Sequence, residues 1–125
     1  ARFEEAIGAC QRAIGISPRD SRVPTWQGLM GFNLLQLGRY AEAEQTLRAS
    51  TTGNPRVPMY FVLLAVALAE QGRHDEGART MQEAMTRDPE FRRSTIKGYW
   101  IATDTRFLAG RDRVVARAAE LGLPP

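Results

Sequence analysis

Three pairs of landmarks in this sequence stand 34 residues apart. Gly38-Arg39-Tyr40 returns as Gly72-Arg73-His74, opening the runs GRYAEA and GRHDEG; Arg22-Val23-Pro24 returns as Arg56-Val57-Pro58; and Pro55 returns as Pro89. A period of this length means that one supersecondary unit is written more than once and needs its neighbours to bury its apolar face. Pro18 stands 37 residues before Pro55, so about three residues are inserted between the first and second units.

Inside one period the pattern is helix, turn, helix. Pro24 and Pro58 suit a first helical turn, where the missing N–H costs nothing. From Trp26 to Leu37 apolar residues cover most of the surface of a helix, and Tyr60 to Leu68 do the same one period later. Helices that are apolar on several faces lie between neighbours. Gly38 and Gly72 end them, since glycine accepts the left-handed conformation that closes a helix. Second helices are expected from Tyr40 to about Thr51 and from His74 to about Thr86, each with a narrower apolar stripe. Residues 92–104 and 106–121 form two further helices, the last with Phe107, Leu108, Val114, Val115, Ala118 and Leu121 as its apolar set.

These residues resemble the tetratricopeptide repeat, W-x2-L-G-x2-Y, then A-x3-F, then P over 34 residues. One unit matches it with Gln27, Met30, Gly31, Leu34, Ala43, Leu47 and Pro55, and the next with Phe61, Leu64, Ala65, Leu68, Gly77, Met81 and Pro89. The opening stretch fills the second-helix slots with Ala6, Cys10, Ala13 and Pro18. Small residues at Gly31/Ala65 and Ala43/Gly77 fit positions where two helices cross. The fold expected is therefore all-α, a right-handed solenoid of antiparallel helix pairs with about three and a half repeats. Its parts are residues 1–20 (second helix of a truncated repeat), 24–57, 58–91, and a degenerate capping repeat over 92–125. The closing ARAAELGLPP resembles the end of tetratricopeptide regions in some bacterial nucleotide cyclases and transcriptional regulators, which implies a C-terminal interaction module with an effector domain upstream.

Chemistry finds little foothold. A metal site needs clustered ligands, and His74 is the only histidine and Cys10 the only cysteine. His74 takes the ring position that Tyr40 holds one repeat earlier, and Cys10 sits in a core slot as a buried thiol. No glycine-rich phosphate loop, nucleophile elbow or paired-histidine motif is present. No catalytic residue, cofactor or metal is expected. The lone cysteine excludes an internal disulfide framework and, with no signal peptide in view, fits a cytoplasmic setting. No run of 18 apolar residues exists to insert in a membrane. Glu4, Glu5, Glu42, Glu44, Asp75 and Glu76 lie near the starts of second helices, where they suit the helix dipole as solvated side chains.

The resemblance assigns the inner wall of the solenoid to the first helix of each pair. Its groove positions are Thr25, Leu29, Phe32 and Gln36 in one repeat and Met59, Val62, Leu63, Val66 and Glu70 in the next; Lys97 and Trp100 hold such places in the degenerate unit. Family members that clamp a peptide carboxylate place cations there, whereas this wall is apolar with a polar rim. It suits an apolar peptide or amphipathic helix as protein partner. The alternative is that these side chains pack on each other or on a part of the protein outside this sequence. Aspartate at Phe32 and Val66 is expected to abolish partner capture and leave helicity intact.

Two other readings stay open. The first helix carries Phe3, Ile7, Cys10 and Ile14, with one flank expected to lack a cover, which suits a fragment of a longer protein or a homodimer. All of the net charge of +3 sits in residues 86–125, where eight basic residues face five acidic ones. Arginines interleaved with Tyr99 and Trp100 could hold single-stranded nucleic acid.

Overall fold

The computed structural model describes residues 2–99 and 105–125, and among them every regular element is a helix. In chain order these are α1 (Phe3–Ile16), α2 (Val23–Gln36), α3 (Tyr40–Gly53), α4 (Pro58–Glu70), α5 (His74–Arg87), α6 (Arg93–Tyr99) and α7 (Thr105–Glu120). Consecutive helices pack from α1 through α5, with α2 against α3 and α4 against α5 as the two hairpins of the repeat. The architecture is the helical-repeat solenoid expected from the spacing.

The repeated landmarks have repeated jobs. Pro24 and Pro58 lie in the first turns of α2 and α4. Gly38 and Gly72 close these helices at φ 73° and 82°. The amide of Arg39 donates to the Leu34 carbonyl at 3.0 Å and that of Gly38 to Leu35 at 3.1 Å; Arg73 and Gly72 make the same pair of bonds to Leu68 and Ala69. This double closure satisfies carbonyls that a helix end leaves orphaned. Gly122 repeats it after α7, with Leu123 donating to Ala118 and Gly122 to Ala119. The arginine after each of the first two glycines then pairs with the glutamate three residues on, Arg39 with Glu42 and Arg73 with Glu76.

α4 is buried along its length, from Met59 through Ala69 without a break, whereas α5 buries only Gly77, Met81 and Ala84. A helix enclosed all round has no polar face, which is why its sequence is apolar at every phase. The hairpin crossings are closed by small residues: a Cβ on Gly31 would overlap the buried Leu47, and one on Gly77 would lie 3.0 Å from the Ala65 carbonyl oxygen. Ser50, fully buried, donates its hydroxyl to the Pro24 carbonyl at 2.7 Å and so ties α3 to the start of α2.

Glu44 and Glu76 are not merely solvated helix-end charges. Arg48 reaches Glu44 at 2.9 Å and Glu76 at 2.8 Å, and Arg73 reaches both at 2.7 Å, so α3 and α5 share one four-membered ionic network. Partial burial alone would raise the Glu44 carboxyl; hydrogen bonds from Arg48 and Gln71 and the nearby arginine charges outweigh it and leave the group below its ordinary value. Glu76 is held low by hydrogen bonds from Arg73 and Arg48. Both carboxyls are thus more acidic folded than unfolded. Their contribution is complete above the unfolded carboxylate range and is lost as pH falls through the folded values. Glu44→Gln/Glu76→Gln should therefore show a smaller drop in melting temperature between about pH 5 and pH 3 than the wild type. Parallel pH profiles would count against the network.

The first helix is better covered than its sequence suggests. Phe3, Ile7 and Cys10 are buried, and burial pushes the Cys10 thiol up from its ordinary value. Part of the cover comes from the far end of the chain, because the Arg106 guanidinium lies 5.5 Å from the centroid of the Phe3 ring. The large apolar side chain of α1 left in water is Ile16, 82% exposed, while Ala6, Ala13 and Ile14 are half-buried. The expected bare flank is accordingly small.

Candidate functional site

The 34-residue period places equivalent side chains of α2 and α4 side by side: Phe32 with Val66, Leu35 with Ala69, Gln36 with Glu70. These pairs form the wall that the sequence assigns to a binding groove. The wall is covered. α7 packs on α4 as well as on α6, and its side chains reach α2. Phe107 meets Phe32 in a tilted arrangement, with ring centroids 5.3 Å apart at an interplanar angle of 45°, within the distance range of interacting aromatic pairs. Gly110 lies against Gln36 so closely that a Cβ there would overlap the side-chain amide. Val114 faces Leu35 and Val66 across a small cleft of about 50 Å³.

Two polar contacts finish the seat. Arg113 donates to the Gln36 side-chain oxygen at 3.2 Å. Arg117 donates through Nε to Glu70 at 2.7 Å and through Nη1 to Glu120 at 2.7 Å. The Arg117 guanidinium is held above its ordinary value, first by the hydrogen bond to Glu70. Its side chain and that of Glu70 are 28% and 24% exposed, so the pair is partly shielded from water. The residues that face the wall, Phe107, Gly110, Val114 and Arg117, follow the three-and-four spacing of one helix face, and Ala118 and Leu121 continue it into the core. Beyond α7 the tail is fixed as well, with the amides of Arg93 and Ser94 donating to the carbonyls of Pro124 and Pro125 at 2.8 and 3.2 Å.

The expected groove residues thus divide. Phe32, Met59, Val62, Leu63 and Val66 are buried; Gln36 and Glu70 are half-buried under α7; Leu29 and Lys97 are exposed, Leu29 by 41%, and Thr25 stands at the start of α2, away from the α7 seat. Trp100 lies outside the described residues. An open groove lined by Phe32 and Val66 is not what this conformation presents, because α7 occupies it. The expectation that aspartate at these two positions would spare the fold fails for the same reason: each would place an unpaired charge in the core. What sequence reasoning missed was the partner of the wall. Its signal was available in the apolar stripe of α7, interrupted by a glycine where the helices come closest.

The basic C-terminal third is largely spoken for. Arg106 stacks on Phe3, Arg113 bonds Gln36, Arg117 bonds Glu70 and Glu120, and Arg111 contacts Asp112 and the Lys97 carbonyl. These arginines face their own protein and do not form a free cationic stripe. Among the described residues no group of three His, Cys, Asp or Glu side chains is placed to hold a metal ion. No described helix is long and apolar enough to cross a membrane.

Comparison with known proteins agrees with this architecture. The family model described as Tetratricopeptide repeat matches residues 30–90, from the middle of α2 to just beyond the second hairpin. No curated protein matches the chain.

Proposed function

We propose, from the premise that this chain is a tetratricopeptide-repeat protein over residues 30–90, that it is a protein–protein interaction module whose α2–α4 wall receives an amphipathic helix. Repeats of this family serve in general as surfaces for other proteins and not as catalysts. The observation that supports the finer reading is the presence of α7 on that wall. Phe107 on Phe32, Val114 against Leu35 and Val66, and Arg117 on Glu70 are the contacts such a ligand would make. It is a helix with one apolar face flanked by a basic side chain, the mode in which an amphipathic helix lies in a groove. No cationic clamp for a peptide carboxylate exists among Phe32, Leu35, Gln36, Val66 and Glu70, so helix-face recognition is favoured over recognition of a peptide end.

A tethered helix competes at an effective concentration on the order of millimolar. The test therefore uses a helical peptide with the sequence of residues 105–121 at millimolar concentration, titrated into the 15N-labelled chain. Resonances of the Gln36 side-chain amide and of Glu70 should shift, while those on the outer surface of α5 stay in place. Shifts confined to α3 and α5, or none at saturation, would refute the reading.

A further inference from the structure

The wall's occupant belongs to the same chain, and its contact has two local features. Beside Val114 a cleft of about 50 Å³, lined by Leu35 and Val66, remains next to the docked helix. Its directional contacts are concentrated on two rim residues, Gln36 and Glu70, at equivalent positions of the two repeats. Glu70 is the acidic one of the two, and its partner in this conformation is Arg117, which it shares with Glu120.

We propose that α7 is a displaceable resident ligand, and that the module's partner is a helix of another protein bearing the same face: a ring, a small residue three positions on, a branched aliphatic four further, and an arginine three beyond that. The inference rests on the reading of the wall as a helix-docking surface and adds its regulation and its selectivity. Phe107, Gly110, Val114 and Arg117 spell that face with spacings of three, four and three. The ring meets Phe32 at a tilt. The small residue lets the two helices approach at Gln36, where any side chain must push the amide aside. The aliphatic enters the cleft, where one longer than valine fills more of it than α7 does. The arginine engages Glu70, so a helix with an acidic residue there is rejected by like charge. Release of α7 from Glu70 makes the wall available; partner and α7 compete for it, and the ion pair acts as the latch.

The experiment uses three full-length chains: wild type, Arg117→Glu, and Glu70→Arg/Arg117→Glu. Each is titrated with a fluorescein-labelled peptide of residues 105–121 and followed by anisotropy, with amide hydrogen exchange over 105–120 measured in parallel. In Arg117→Glu the resident helix meets Glu70 with like charge. Exchange in α7 should rise, and the peptide, which keeps its arginine, should bind about tenfold or more tightly than to wild type. In the double variant the latch is rebuilt with reversed polarity. Exchange should fall back, and peptide affinity should return to the wild-type level or below, because the arginine substituted for Glu70 repels the peptide's own arginine.

Equal peptide affinity for wild type and Arg117→Glu would overturn the latch while leaving the docking surface intact. Raised exchange in α7 without peptide binding would overturn both. Failure of the double variant to reverse the gain would show that Arg117→Glu acts by general loosening, against the proposed pair. A concentration-dependent dimer exchanging its own α7 between copies would overturn the foreign helix as occupant and assign the wall to a second copy of this chain.

Discussion

Phe32→Ala should lower the melting temperature by more than about 10 °C. Phe32 is 0% exposed and sits where three parts of the chain meet: its own helix α2, the core it shares with α4, and the ring of Phe107 on α7. Removing a buried phenylalanine side chain costs about 3–5 kcal/mol, from lost transfer energy and the cavity left behind. Each kcal/mol shifts the midpoint by roughly 3–6 °C in a domain of this size. Leu29→Ala, one turn earlier and 41% exposed, supplies the control, with an expected change within about 1 kcal/mol. Thermal unfolding followed by circular dichroism decides between them. Similar small shifts for both variants would mean that the wall is not sealed as described.

Gly31 and Leu47 give the second large effect, one that changes sign. In the wild type a Cβ on Gly31 would overlap Cγ and Cδ2 of Leu47 and lie 2.9 Å from Cδ1. Leu47 is fully buried, so Gly31→Ala should cost about 1–3 kcal/mol by forcing α2 and α3 apart. Leu47→Ala should cost about 2–5 kcal/mol through its cavity. In that background the obstructing atoms are gone. Gly31→Ala should then stabilise the helix by about 0.5–1 kcal/mol, because glycine in a helix interior is the poorer residue. Urea unfolding of the four proteins measures the coupling. Simple addition of the two costs would contradict the close approach of α2 and α3 at this point.

The repeat was legible because its punctuation is local. Gly38 and Gly72 need positive φ, Pro24 and Pro58 need a first turn, and these demands are met within a few residues of each landmark. The helix limits follow closely: α5 runs His74–Arg87 against an expected end near Thr86, while α2 begins at Val23, a turn before Trp26. The chain's last helix was legible as a helix, with Val114, Ala118 and Leu121 on its buried side. Its destination was not. Docking of α7 depends on residues such as Arg113 and Gln36, which are 77 apart in sequence, and no spacing rule links them. The family pattern even pointed elsewhere, because it marks Phe32 and Val66 as lining a groove. The same apolar character serves an occupied wall and an empty one. Only the position of α7 tells them apart. The acidic pairs near the helix starts show a related limit. Glu44 and Glu76 lie on different second helices, and their shared arginines become visible only when α3 and α5 are placed in space.

In an open solenoid each hairpin touches only the next, so the terminal units can melt away one at a time while the middle persists. Here the final helix runs back to α4 and α2, and its Arg106 rests on Phe3 of α1. That return path turns a line into a ring of dependencies. Loss of α1 strips cover from the last helix, and loss of the last helix strips cover from the middle. Lifting the last helix from the wall is thereby felt at α4, α2 and α1 together.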